Sequence, residues 1–218
     1  MEINKNLIFS SYPELLPEEN TVQFLMEISH IIAASKGWWD GGEKDFSQVI
    51  ALIHSELDEG YDYLVESLVS NTEIKDDHLP DQPGFIVELA DTAIRIFDFL
   101  GYYVDQIDPR IQDVYAGEGK LTNKPEPLKI KNLIDRFKIE KFTQDNAFVF
   151  LGRIHSLLSK ALEHNRKDGA LNHQFLIRAM IYLFVFSNST FGEGVLESVI
   201  IQKLNYNLHR QPKHGKKY

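Results

Sequence analysis

Residues 50–64, IALIHSELDEGYDYL, and residues 84–100, GFIVELADTAIRIFDFL, decide the fold of this chain. In both stretches apolar residues recur every three or four positions: Ile53, Leu57 and Leu64 in one, Phe85, Leu89, Ile96 and Leu100 in the other. That is the period of one helix face, not the alternation of a strand. Each stretch also carries two carboxylates at a spacing of three, Glu56 with Glu59 and Glu88 with Asp91. Residues three apart share a helix face, so each pair presents two acidic donors side by side. Packed together, two such helices make a four-carboxylate pocket. Burying those acids beside apolar neighbours is costly unless a cation sits among them. The ion this predicts is Mg²⁺, with Mn²⁺ as a substitute.

Outward from these stretches the helical pattern continues. A helix is predicted from Thr21 to about Ser35, with Val22, Leu25, Ile28 and Ile32 inward, after Pro17 and a cap at Asn20. Lys36-Gly37 ends it. The first acidic pair falls on a helix from about Asp45 to Ser67, and the turn-rich NTEIKDDHLPDQPG separates it from a helix over Phe85 to Val104 that carries the second. From Asp105 to about Thr143 the chain is mixed and contains Pro109, Pro125 and Pro127, as a short helix or loop connection would. Three further helices are expected near 146–164, 171–186 and 194–208. The fold class is all-α, a helical bundle in a single domain over residues 1–218. Within it, residues 20–104 form the metal-binding helices, 105–192 a helical insertion, and 193–218 a C-terminal helix with a basic tail.

Composition narrows the function classes. A 43% apolar, 25% charged chain of 218 residues is ordinary for a globular protein. No run approaches the ~20 apolar residues that span a bilayer, and the N-terminus lacks the pattern of a secretory signal, so a cytoplasmic protein without a membrane partner is expected. The absence of cysteine excludes disulfides, zinc-thiolate sites and thiol catalysis. A net charge of -9 argues against a general nucleic-acid-binding surface. The charge is uneven, however, because RQPKHGKKY at the end is basic.

On the third helix, at ~100° per residue, Glu88, Asp91, Arg95 and Asp98 form one polar stripe opposite the apolar face. A solvated face more often intersperses lysine among its acids. Arg95 is expected to orient Asp91 from one turn away, and Asp98 to hold Arg95 in turn.

Four elements together resemble the MazG-like members of the all-α nucleoside triphosphate pyrophosphohydrolases, which include the dimeric dUTP pyrophosphatases. They are Glu56-x-x-Glu59 in HSELDEG, Glu88-Leu-Ala-Asp91 in ELADTAIRIFD, Lys36-Gly-Trp-Trp39 after the first helix, and the C-terminal Lys203-LNY-Asn207-LH-Arg210-QPK-His214-Gly215-Lys216. The resemblance covers most of residues 20–104 and 200–218; the roughly 90 residues between depart from the compact pattern. It implies hydrolysis between the α and β phosphates of a nucleoside triphosphate, a deoxynucleoside triphosphate by expectation, with release of pyrophosphate. The four carboxylates would hold Mg²⁺, and Glu59 would accept the proton of the attacking water.

Lys203, Asn207 and Arg210 are spaced four and three apart, so on a helix they share a face suited to phosphate and sugar. His214 and Lys216 in the basic tail are expected to fold over the triphosphate. Of Trp38 and Trp39, one is expected to stack on the base and the other to pack in the core, with Trp39 assigned to the substrate. Lys36 either reaches a phosphate or caps its own helix.

Ile154-His-Ser156 repeats Ile53-His-Ser55, and QFLIRAMIYLFVF can be laid over GFIVELADTAIRIF. In that alignment the four acids become Leu157, Lys160, Arg178 and Ile181, so a second helix pair would be a degenerate copy, buried within the monomer or at a homodimer interface. Three rival classes have less support. A ferritin-like di-iron site needs Glu-x-x-His on two helices, and only Glu27-x-x-His30 qualifies. A helical adaptor leaves Lys203, Asn207 and Arg210 unexplained. A non-catalytic Mg-nucleotide-binding protein uses the same residues without turnover.

Overall fold

The computed structural model describes residues 21–103, 129–136, 146–169 and 172–210. Among them the chain forms α1 (Val22–Ser35), α2 (Phe46–Ser70), α3 (Gly84–Tyr102), α4 (Ile130–Arg136), α5 (Ala147–Asp168), α6 (His173–Thr190) and α7 (Val195–His209). No β-strand occurs in the described residues, only two isolated bridges. The chain is therefore all-α.

Local chemistry sets the helix ends. Thr21 Oγ1 accepts from the Phe24 N–H at 3.2 Å and starts α1; the expected cap, Asn20, lies outside the described residues. Asp45 takes the Ser47 N–H at 2.7 Å to start α2, and Asn71, at φ 51°, turns the chain left-handed to end it. Both α2 and α5 run several residues beyond their predicted ends, to Ser70 and Asp168. Only the left-handed residues Asn71 and Gly169 stop them.

Helix α3 is the centre of the bundle, with 15 of its 19 residues buried. It packs against α1, α2, α6 and α7, while α5 and α6 pair with each other and α5 lies on α2. A helix apolar nearly all round belongs inside, so the few polar residues on α3 are the ones that need partners. Where α3 crosses α1 the backbones nearly touch: a Cβ on Gly101 would stand 2.3 Å from the Met26 carbonyl oxygen.

α2 and α5 run antiparallel, since His54 meets His155 and Tyr61 meets Phe148 seven residues away in opposite senses. The two histidines of the repeated Ile-His-Ser thus face each other. At the positions aligned with the acids, Ile181 is in the core and Lys160 and Arg178 are exposed.

No single helix among the described residues is long and apolar enough to cross a membrane. Helices α6 and α7 pass a composition test only as a pair, and they meet at a bend of 115°. Their apolar side chains, from Leu176 to Leu208, lie in the core.

Candidate functional site

Polar residues of four helices and two loops meet in a cavity of about 260 Å³. α2 contributes Glu56 and Glu59, α3 contributes Glu88, Asp91, Arg95 and Asp98, and α7 contributes Lys203, Asn207 and Arg210. Trp38 and Lys36, just after α1, complete the wall. The i, i+3 spacing on α2 and α3 does what the sequence suggested, because the two helices pack with their acidic stripes facing. One carboxylate oxygen each from Glu56, Glu59 and Glu88 lies within 4.8 Å of the others.

The fourth acid is held apart. Asp91 Oδ2 accepts from the Lys203 ammonium at 2.8 Å, an almost fully buried contact. Glu56 Oε1 accepts from Arg95 Nε, also at 2.8 Å, and the Arg95 guanidinium lies 4.9 Å from the centre of the Trp38 ring. Arg95 therefore reaches across to α2 instead of orienting Asp91. Asp98, expected to hold Arg95, accepts from Trp39 Nε1 at 2.8 Å and pairs with His30 Nδ1 at 3.0 Å.

Burial raises the carboxyl groups. Glu88 is pushed up to about 9 by desolvation and then by Asp91. Asp91 rises to about 6 through burial, with Lys203 pulling the other way. Glu59, the most exposed of the three clustered acids, is raised by partial burial and by Glu56. Burial opposes the charge on Lys203, but Asp91 and the neighbouring acids together leave its pKa raised.

One buried atom of the cluster lacks a partner among the described residues. Glu88 Oε2 is buried and accepts no hydrogen bond, a condition that ordinarily costs on the order of 1–3 kcal/mol. A hard divalent cation among carboxylate oxygens would satisfy it, and oxygen-only donors with room for water suit Mg²⁺. Glu56, Glu59 and Glu88, whose oxygens converge, have the donor chemistry for that ion, with Asp91 beside them on Lys203. Across the cavity, Asn207 Oδ1 is also buried without a partner.

Two further residues find other neighbours than expected. Lys36 caps α7 and not its own helix: its ammonium donates to the Leu208 carbonyl at 2.8 Å and the Arg210 carbonyl at 2.6 Å. Trp38, not Trp39, lines the cavity with the carboxylates. Trp39 stacks on Tyr102 at 4.2 Å and 9°, and borders a smaller adjoining pocket that Trp38, Leu52 and Phe99 share. His214 and Lys216 lie outside the described residues.

His78 also lines the cavity, and the sequence did not single it out. Asp76 places it, accepting from the backbone N–H groups of His78 at 2.9 Å and Leu79 at 2.7 Å. An Asp two residues before a His in a Pro-rich turn is the one signal that pointed there.

In comparisons with known proteins, no protein-family profile, curated protein or solved structure matches this chain.

Proposed function

We propose that the chain is a Mg²⁺-dependent nucleoside triphosphate pyrophosphohydrolase of the cytoplasmic nucleotide pool, cleaving between the α and β phosphates. The observation that carries this reading is one cavity lined both by the carboxylate cluster and by Lys203, Asn207 and Arg210. A triphosphate with its metal needs both: acids for the ion, cations and amide donors for the phosphate oxygens.

When bound, Mg²⁺ would supply charge neutralisation and a more acidic water. Glu56, Glu88 and Asp91 would hold it. Glu59 is the most exposed of the three clustered acids, and Ser55 Oγ donates to it at 3.4 Å. Its raised pKa suits it to accept the proton of the attacking water. Lys203 and Arg210 would bear on phosphate oxygens, Asn207 on a sugar or phosphate oxygen, and the Trp38 face on the base.

Pyrophosphate release from a panel of nucleoside and deoxynucleoside triphosphates, with Mg²⁺ and with EDTA, tests this. Glu59→Gln and Asp91→Asn are expected to lower kcat by at least about 100-fold with helical content intact. Full activity in either variant sinks the assignment.

A non-catalytic nucleotide-binding protein is the second reading. It draws on Glu56 and Asp91, each already committed to a cation, Arg95 and Lys203. Nucleotide binding without turnover across the panel would favour it.

A further inference from the structure

Of the four acids, only Asp91 stands outside the group whose oxygens converge. Its Oδ2 is turned to Lys203, whose side chain is 5% exposed. Lys203 is thus not a cation at the rim waiting for an anion but part of the acidic cluster. Its charge also bears on Glu59 and Glu88. Arg95, the other cation there, sits against Glu56 and stacks on Trp38, where a planar guanidinium is fixed by geometry. Among the described residues Lys203 is hydrogen-bonded to Asp91, with the Tyr206 ring 5.9 Å away. A four-carbon stem with rotatable bonds can swing its ammonium by several ångströms.

We propose that Lys203 is the resident counter-cation of the carboxylate cluster, and that a divalent ion displaces it from Asp91 and sends its ammonium to the phosphate-binding side of the cavity. This rests on the metal-site reading above. Two positive centres a few ångströms apart repel strongly where burial limits screening, so Asp91 cannot serve both at full strength. The displaced ammonium has somewhere to go. Asn207 follows one turn on along α7 with its Oδ1 buried and unpartnered, and Arg210, the residue that caps α7, lines the same cavity. Metal entry would then build the anion site, coupling the two ligands positively.

Two measurements on the full chain test this without turnover. Mn²⁺ binding, followed by electron paramagnetic resonance at pH 8.5, should tighten about tenfold in Lys203→Met, where the competing cation is gone, and stay near the parent value in Lys203→Arg. In the parent chain, Mg²⁺ should raise the acylation rate of Lys203 by an amine-reactive ester several-fold, read by mass spectrometry. Lys36, equally buried but tied to backbone carbonyls, is the control. Equal Mn²⁺ affinity in all three chains, or Lys203 acylation unchanged or slowed by Mg²⁺, overturns the displacement and leaves the metal site standing. If Mn²⁺ binds none of the three, the displacement and the metal site fall together.

Discussion

His54 and His155, 101 residues apart, stack with ring centroids 4.8 Å apart and planes 6° from parallel, their Nδ1 atoms separated by 2.6 Å. A contact that short needs a proton on one of the two nitrogens and a lone pair on the other. Burial lowers the pKa of His54, His155 lowers it further, and Asp58 opposes them. With the folded pKa below the ordinary 6.5, the unfolded chain binds the extra proton first as pH falls. This contribution to stability is therefore present at neutral pH and lost on acidification below about pH 6.5. His54→Leu should reduce the drop in melting temperature between pH 7.5 and 5.5 by about 3 °C, read by circular dichroism. An unchanged drop would mean that the pair does not govern it.

Glu88 has the opposite sign in a different window. Its folded pKa of about 9 lies far above the ordinary 4.5, so the folded state keeps a proton that the unfolded state has released. Without metal, stability falls as pH rises from about 4.5 toward 9. In EDTA the urea midpoint of the parent chain should be lower at pH 9 than at pH 7, and Glu88→Gln should remove most of that difference. Mg²⁺ should raise the parent midpoint more at pH 9 than at pH 6, because the ion needs the carboxylate.

The two adjacent tryptophans should separate cleanly under mutation. Trp39 stacks on Tyr102 and donates to Asp98, so Trp39→Ala should cost about 3 kcal/mol of stability. Trp38 lines the cavity against Arg95. Trp38→Ala should leave the melting temperature within a few degrees and weaken nucleotide binding about tenfold, as loss of one stacking face does. Reversed effects would exchange the two roles.

Gly101 marks a close backbone crossing of α3 with α1. A methyl group there meets the Met26 carbonyl, which is backbone and cannot swing away. Gly101→Ala should lower stability by about 2 kcal/mol, seen as a lower urea midpoint with little change in slope.

Much of this was readable before any coordinates. The helices α1, α2, α3, α5, α6 and α7 follow the apolar period, and three of the four acids at spacings of three converge, Asp91 being turned to Lys203. What the sequence concealed is which neighbour each polar group finds. Arg95 stands one turn from Asp91 along α3, yet its partner is Glu56 on α2. Lys36 follows α1, yet its ammonium closes the end of α7, 172 residues away. Helical period tells which way a side chain faces; only the crossing of helices decides what it meets. Trp38 and Trp39 differ in the same way, because adjacent residues in a turn point apart and neither carries a mark of its direction.

The pairing of Asp91 with Lys203 has a consequence for how the molecule comes into being. A ribosome delivers α2 and α3 early and α7 only after roughly a hundred further residues, at a pace of seconds. Throughout that interval the nascent chain holds its acids without the ammonium that offsets them. α3 is the helix around which the rest of the bundle packs, so the core and the charge balance mature together when the last helix docks. A divalent ion present during synthesis would stand in for that lysine and spare the nascent chain its most awkward stage.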